Sequence, residues 1–289
     1  MAIKGNLVNP RKFQKDQLKI YAVLIPMSLI MVLPIVYIVN HAFKPLEELF
    51  AYPPKFFVTN PSFTNFFKLV NATATSTVPF SRYLFNSIFV TVCVLAFTLI
   101  FTTMAAFALS KMNFKGKKLL LAANDVGLMF VGLALQIPRY LIVDKLGIHD
   151  TYLAHILPIV VLPVGLLLLK QFVDGVPSAL IEAAHIDGAG ELKTYFSIII
   201  PLVKPAMATV SILMFQEVWN NVETSSMYMD TDVLQTFAFY MQTLSSNTNS
   251  VAGQGLAAAA TLIMFIPNVV LFVIMQSRVM STMATSGIK

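Results

Sequence analysis

The chain has 289 residues, 57% of them apolar and only 12% charged, where a soluble domain carries about 25% charged residues. With mean hydropathy +0.74 and its apolar residues in long blocks, the composition argues against a water-soluble enzyme. The net charge of +6 comes without the interleaved basic stretches that a nucleic-acid groove needs. The single cysteine, Cys93, allows neither an intrachain disulfide nor a cysteine-based metal cluster.

Crossing the hydrocarbon core takes about 20 mostly apolar residues. In chain order the stretches that meet or approach this are 20–39, 84–109, 119–138, 152–169, 205–221 and 255–275, which predicts an all-α integral membrane protein with six transmembrane helices. Residues 1–19 form an N-terminal segment rich in Lys and Arg, 20–276 the transmembrane domain, and 277–289 a C-terminal tail. The first apolar run is too long for a secretory signal, and no small-residue cleavage site follows it.

Surplus Lys and Arg mark the cytoplasmic side of a membrane protein. With the N-terminus inside, 14 of the 20 basic residues, from Lys4, Arg11 and Lys12 to Lys111, Lys117, Lys193, Lys204 and Lys289, fall inside. The acidic residues Glu47, Glu48, Asp144, Asp150, Glu223, Asp230 and Asp232 all fall outside. Both termini are therefore expected to be cytoplasmic. The outer loop 41–83, with Pro53-Pro54 and Asn60-Pro61, reads as an irregular cap, and the outer loop 222–252 lacks any Lys or Arg.

The loop 171–204 is cytoplasmic in this topology, polar and helix-forming. Ser178 is expected to cap a short helix whose apolar side is Leu180, Ile181 and Ala184. Gly188 and Gly190 then permit a turn at positive φ, and a second helix from Glu191 is expected to end at Pro201. Two short helices cannot bury their apolar faces alone. On these residues two readings stay open, a connector packed on its own helix ends or an element that docks on another chain.

Glu182-Ala183-Ala184, Asp187-Gly188-Ala189, Phe196, Ile198, Pro201-Leu202 and Pro205-Ala206 resemble the EAA loop of permease subunits of binding-protein-dependent ABC importers, in the maltose-type carbohydrate branch. Similarity extends to Tyr83-Leu84-Phe85-Asn86-Ser87, Phe107-Ala108-Leu109-Ser110-Lys111, Leu146-Gly147, Trp219-Asn220 and the ending Gly287-Ile288-Lys289. Around Trp219-Asn220 the chain departs from that family, with Gln216-Glu217 before the pair and Val222-Glu223-Thr224 after it.

The resemblance implies a six-helix bundle with cytoplasmic EAA coupling helices, and no catalysis on this chain. Its partners would be a second homologous permease subunit, two ATP-binding subunits carrying ATP and Mg, and an external substrate-binding protein. Glu182, Ala183, Ala184, Asp187, Gly188 and Ala189 would form the ATPase-coupling element, and a tail ending in Gly287 and Lys289 would reach toward the ATPase dimer. The sequence has no Gly-x-x-x-x-Gly-Lys-Ser/Thr phosphate loop, consistent with an energy source on another chain.

Asn124, Asp125, Gln136, Gln216, Glu217, Asn220, Asn221, Asn268 and Gln276 lie in or beside apolar runs, where ionisable groups normally face a bundle interior or a water-filled path. Glu217 is twelve residues beyond Pro205, about 18 Å up a helix. Gln216, Glu217, Trp219 and Asn220 are candidate lining for a sugar, with Trp219 expected to stack on the ring; the alternative is that Trp219 is an interfacial belt residue. Asp125 reads as a residue that snorkels to the inner surface. His41, His149, His155 and His185 have no ligand partner at metal-site spacing, and no Gly-x-Ser-x-Gly elbow is present. The same transport machine for amino acids or peptides, and a multi-pass membrane enzyme, are the competing readings.

Overall fold

The computed structural model describes residues 15–72, 78–246 and 251–286. Among the described residues every regular element is helical: α1 Lys15–Phe43, α2 Leu46–Leu49, α3 Thr64–Ala72, α4 Phe80–Lys111, α5 Lys117–Met129, α6 Gln136–Lys145, α7 Tyr152–Ile156, α8 Pro163–Asp174, α9 Ser178–Ile186, α10 Glu191–Thr194, α11 Ile200–Trp219, α12 Glu223–Tyr228, α13 Phe237–Ser246 and α14 Val251–Ser286. Four helical stretches are long and apolar enough to cross a membrane, Ile20–Phe43, Phe80–Lys111, Glu191–Trp219 and Gly253–Gln276; the number rises to six if each of two bent helix pairs counts as one span.

The expected third and fourth spans are not single helices, and the fifth starts earlier than expected. Residues 119–138 break between α5 and the short turn Gly132–Leu135 that leads into α6, and the two halves are bent by 111°. Phe130 and Val131 are extended there, with ψ of 133° and 131°. Pro138 sits in the first turn of α6, where its missing N–H is tolerated. Residues 152–169 break between α7 and α8, where Pro158 and Pro163 interrupt the ladder and Pro163 opens α8.

The fifth span begins earlier than expected. α10 continues through a π turn, Tyr195–Ile199, into α11, so the helix does not end at Pro201. The Ile200 N–H donates to Tyr195 O, five residues back. That wider turn lets the helix pass Pro201, which sits in the first turn of α11.

The chain divides into two compact units, Met1–Leu69 with Thr248–Leu262 and Val70–Asn247 with Ile263–Lys289. In the first, α1 runs unbroken through Pro26 and Pro34. Its last carbonyls are taken up by one side chain: Asn65 Nδ2 donates to Ala42 O (3.0 Å) and Lys44 O (2.8 Å). Gly255 lies so close that a Cβ there would sit 2.8 Å from Asn65 Nδ2. Ala259 and Ala260 are also buried, small residues that permit close packing of a helix.

In the second unit α4 is the central element, packed against α8 and α11. Its buried stripe is rich in small polar residues, Ser87, Thr91, Thr98, Thr102 and Thr103, which permit close approach of helices in lipid; Ser87, Thr98 and Thr103 also bond across the contact. Thr98 Oγ1 donates to Val160 O at 2.7 Å, answering a carbonyl freed by the break between α7 and α8. Gly165 on α8 is equally constrained, since a Cβ would lie 3.0 Å from Leu162 and 3.2 Å from Val210.

Thr98→Val keeps the shape and removes the donor. An unsatisfied buried acceptor costs about 1–3 kcal/mol. We expect a lowered unfolding temperature for the purified protein, with Thr98→Ser close to the parent.

Candidate functional site

The inner arm is built on the ends of α4 and α8. Lys111 Nζ donates to Val176 O (2.6 Å) and Asp174 O (3.3 Å), the carbonyls left open where α8 stops. Lys117 Nζ does the same for the end of α4, at Ser110 O (3.4 Å) and Met112 O (3.1 Å). Asp174 is held by Ser110 and by Lys170 at 2.7 Å. Cations at helix C-termini are favourable because the last carbonyls carry partial negative charge, so part of the basic surplus does structural work.

α9 starts differently from the expected cap: Pro177 occupies the cap position, Ser178 is the first helical residue, and no side chain caps the helix. Its other end is a Schellman turn. The Gly188 N–H donates to His185 O (3.0 Å) and the Ala189 N–H to Ala184 O (2.8 Å), with Gly188 at φ +75°. Gly190 does not share this conformation. Its φ is −74°, and it serves as the extended residue that opens α10. His185 Nε2 lies 3.5 Å from Glu191 Oε1 across the corner.

Of the apolar side expected for α9, Ile181 alone is buried. It joins a core of Phe107, Leu169, Val173, Tyr195, Ile199 and Val203 drawn from α4, α8 and the helix 191–219. Glu182, Ala183, Asp187 and Gly188 are exposed and Ala184 and Ala189 half-buried. Large apolar side chains beside them also face out: Ile186 (86% exposed), Leu192 and Phe196. The sequence did not single out Tyr195 as a contact residue. Its hydroxyl meets Thr103 Oγ1 at 2.5 Å inside the bundle, and Thr103 in turn donates to Leu99 O at 2.6 Å. The partners are 92 residues apart, so no local pattern reports the pair.

On the outer half of α11 the predicted lining residues separate. Leu213, Gln216, Glu217 and Asn220 are all exposed and recur at i, i+3, i+4 and i+7, one stripe of the helix. Trp219 is on the other side and 5% exposed. Its indole N–H donates to Met264 O at 3.1 Å, and its ring stacks on Phe215 with centroids 5.7 Å apart. The indole N–H and one face of the ring are thus engaged within the chain. Asp125 is exposed on α5, while Asn124 Nδ2 reaches Pro163 O at 3.4 Å. Gly287 and Lys289 lie outside the described residues.

The outer segments are fastened by buried polar side chains. Asn86 Nδ2 donates to Val233 O (2.8 Å) and Gln235 O (2.9 Å), and Ser87 Oγ accepts the Phe237 N–H at 2.8 Å. His155, fully buried, donates from Nε2 to Leu234 O (3.0 Å) and meets Thr224 Oγ1 with Nδ1 (2.8 Å). Arg139 and Glu223 form a partly exposed pair at 3.6 Å. Asp150, at φ +54°, accepts from the Asp230 N–H, the Thr231 N–H and the Thr231 hydroxyl. Burial pushes the Asp150 carboxyl up, but the bonds from Thr231 and Asp230 outweigh it and hold the group below the usual aspartate range. Among the described residues no three His, Cys, Asp or Glu side chains gather as a metal site.

Residues 83–277 match the family described as binding-protein-dependent transport system inner membrane component. The protein LplC of Bacillus subtilis is 36% identical over 202 residues, 70% of this chain and 66% of that one. The polygalacturonan/rhamnogalacturonan transport system permease YtcP of the same organism is 33% identical, over 73% of this chain and 71% of that one. The diacetylchitobiose uptake system permease DasC of Streptomyces coelicolor is 28% identical, over 90% and 92%. In fold the chain is similar to the crystal structure of a bacterial ABC transporter involved in import of the acidic polysaccharide alginate, with TM-score 0.80 at 20% identity, over 93% of this chain and 99% of that one. The chain belongs to the binding-protein-dependent transport family of inner membrane components, as a multi-pass permease subunit and not an enzyme.

A carboxyl whose folded pKa is depressed stabilises above its unfolded pKa, and that contribution is lost as pH falls through the folded value. Asp150→Asn retains a residue that tolerates positive φ but removes the charge. Amide exchange at Asp230 and Thr231 is expected to quicken at neutral pH, and the difference from the parent to vanish as pH drops below the carboxylate range.

Proposed function

We propose that this chain is one of two homologous permease subunits of an ATP-driven importer that carries a sugar or oligosaccharide across the cytoplasmic membrane. ATP and Mg belong to two partner ATP-binding subunits, and an external binding protein delivers the substrate. The six predicted spans, with both termini cytoplasmic, are supported by the basic asymmetry of the sequence. A sugar substrate is supported by the relatives named for polygalacturonan/rhamnogalacturonan and diacetylchitobiose transport, which disfavour the peptide and membrane-enzyme readings.

The observation that carries the proposal is the inner arm. α9 turns its one buried residue, Ile181, into the core and leaves Glu182 beside the exposed Ile186 and Leu192. Such an apolar patch with a charge at its edge marks an interaction surface, and it is the segment that resembles the EAA loop. Closure of the ATPase pair displaces α9 and α10. Because Ile181 and Tyr195 pack with α4, α8 and the helix 191–219, that motion reaches the bundle, which rocks between inward-open and outward-open states. The tail residues Gly287 and Lys289 are assigned to an ATPase contact on the resemblance alone.

Removing one member of a desolvated interfacial charge pair costs about 2–5 kcal/mol. Glu182→Lys is expected to abolish uptake and co-purification with the ATPase while the chain still inserts. Gly188→Val, which forces a β-branched residue to the +75° φ of Gly188, is expected to do the same. Normal transport by both variants would reduce the arm to a connector.

Gln216, Glu217 and Asn220 form the substrate-facing stripe in this reading, since a row of polar side chains on a spanning helix is costly against lipid. We expect Glu217→Ala to lower the maximal uptake rate with sugar binding to the isolated external protein unchanged. Trp219→Phe, which loses the bond to Met264 O and leaves part of the buried indole volume unfilled, should lower thermal stability by more than the about 0.5–1.5 kcal/mol of the bond alone and leave the uptake rate near that of the parent.

A further inference from the structure

We infer that the loop after α1, residues 50–67, is an interfacial anchor that inserts aromatic side chains into the phospholipid headgroup region at the C-terminal end of α1. The loop does not project away from that end. The Ser62 N–H donates to Phe43 O at 2.8 Å, the Val58 N–H to Asn40 Oδ1 at 3.0 Å, Lys44 Nζ to Lys55 O, and Asn65 Nδ2 to Ala42 O and Lys44 O. Backbone from residue 55 to residue 65 is thereby tied to residues 40–44, the last turn of the span. Phe56 reaches further back: its ring centroid is 6.2 Å from that of Tyr37, six residues or about 9 Å below the helix end at Phe43.

The loop is rigid, and it turns aromatic rings outward. Glu48 accepts the Thr59 hydroxyl (2.6 Å), the Thr59 N–H (3.0 Å) and the Asn60 N–H (2.7 Å). On this frame Phe50, Tyr52, Phe57, Phe63 and Phe67 are all at least 60% exposed, Tyr52 at 95%. A loop bathed in water on all sides has no reason to fix five such rings outward. Aromatic rings at headgroup depth lose apolar area to the acyl boundary and keep a polar edge wet. Lys55 and Lys68, also exposed, supply charge complementary to lipid phosphates. The surface is continuous with α1, which has no buried residue from Ile20 to Val39. Lipid therefore covers helix and loop together. A docking protein would instead have to bind a surface pressed against the bilayer.

Spin labels at Tyr52→Cys and Phe57→Cys, in a Cys93→Ser background, read the depth directly in the assembled importer in liposomes. Glu47→Cys, on the exposed side of α2, is the reference. Labels at 52 and 57 are expected to be several-fold more accessible to oxygen relative to an aqueous nickel chelate than the label at 47. Equal ratios at all three positions would overturn the proposal. So would labels at 52 and 57 that the chelate reaches until the external binding protein is added, because the face would then belong to that protein. The double variant Tyr52→Ser/Phe57→Ser gives an independent reading: release of the loop from lipid should raise proteolysis between residues 50 and 57, and an unchanged cleavage rate would count against it.

Discussion

A chain in a bilayer has no water with which to satisfy its backbone, and every N–H and C=O within the hydrocarbon must find a partner inside the protein. The fold is organised around the places where proline makes this difficult. At the break between α7 and α8, Thr98 on α4 serves Val160 O. Before Pro201 the ladder shifts to a π turn, with Ile200 N–H on Tyr195 O. In α14, next to Pro267, Met264 O receives both the Trp219 indole and Asn268 Nδ2. The π turn solves the problem within its own helix, whereas the Thr98 and Trp219 bonds also fasten α4 and α11 to neighbouring segments. Those two interruptions are thus also points where the bundle is cross-linked.

The same constraint separates the faces of α11. Trp219, Val218 and Met214 are turned inward, where the indole completes the hydrogen bonding of a neighbouring helix. Gln216, Glu217 and Asn220 are left on the opposite stripe. Asn220 Nδ2 closes the Gln216 carbonyl at the end of α11 (2.9 Å), while the side chains of Gln216 and Glu217 face out, and lipid is a poor environment for them. In the proposed transport reading this exposed stripe, and not the buried tryptophan, is the candidate for handling substrate.

At the inner end the arm combines one rigid joint with one exposed surface. Schellman bonds at Gly188 close the corner, Lys111 ties the end of α4 to the end of α8 just before α9, and the buried Tyr195–Thr103 bond ties the helix beyond the corner to α4. In the proposed function these joints are what would carry a displacement of α9 to the packed helices. The outer ends are fastened in a comparable way by Asn86, Ser87 and His155. His155 is a satisfied core residue, its two nitrogens committed within the protein.

Much was legible from the sequence because it depends on local composition. The all-helical class follows from apolar block length, and the turn at Gly188 from a residue without a Cβ. Candidate residues in the inner loop and near Trp219 could be named from residue type and spacing. What composition cannot report is direction and partnership. A proline marks a weak point in a helix, but whether the result is a 111° break, as between α5 and α6, or a π turn that lets the helix run on, as before Pro201, depends on which neighbour supplies the missing bond. Gly188 and Gly190 are alike in sequence, yet only Gly188 has positive φ, because the Schellman bonds close at one position. Glu217 and Trp219 are two residues apart, and only the packing of α11 on α4 and α8 determined that one is exposed and the other buried. The sequence determined which groups have to be satisfied; the tertiary structure decided which distant side chains satisfy them, because those partners lie tens of residues away along the chain.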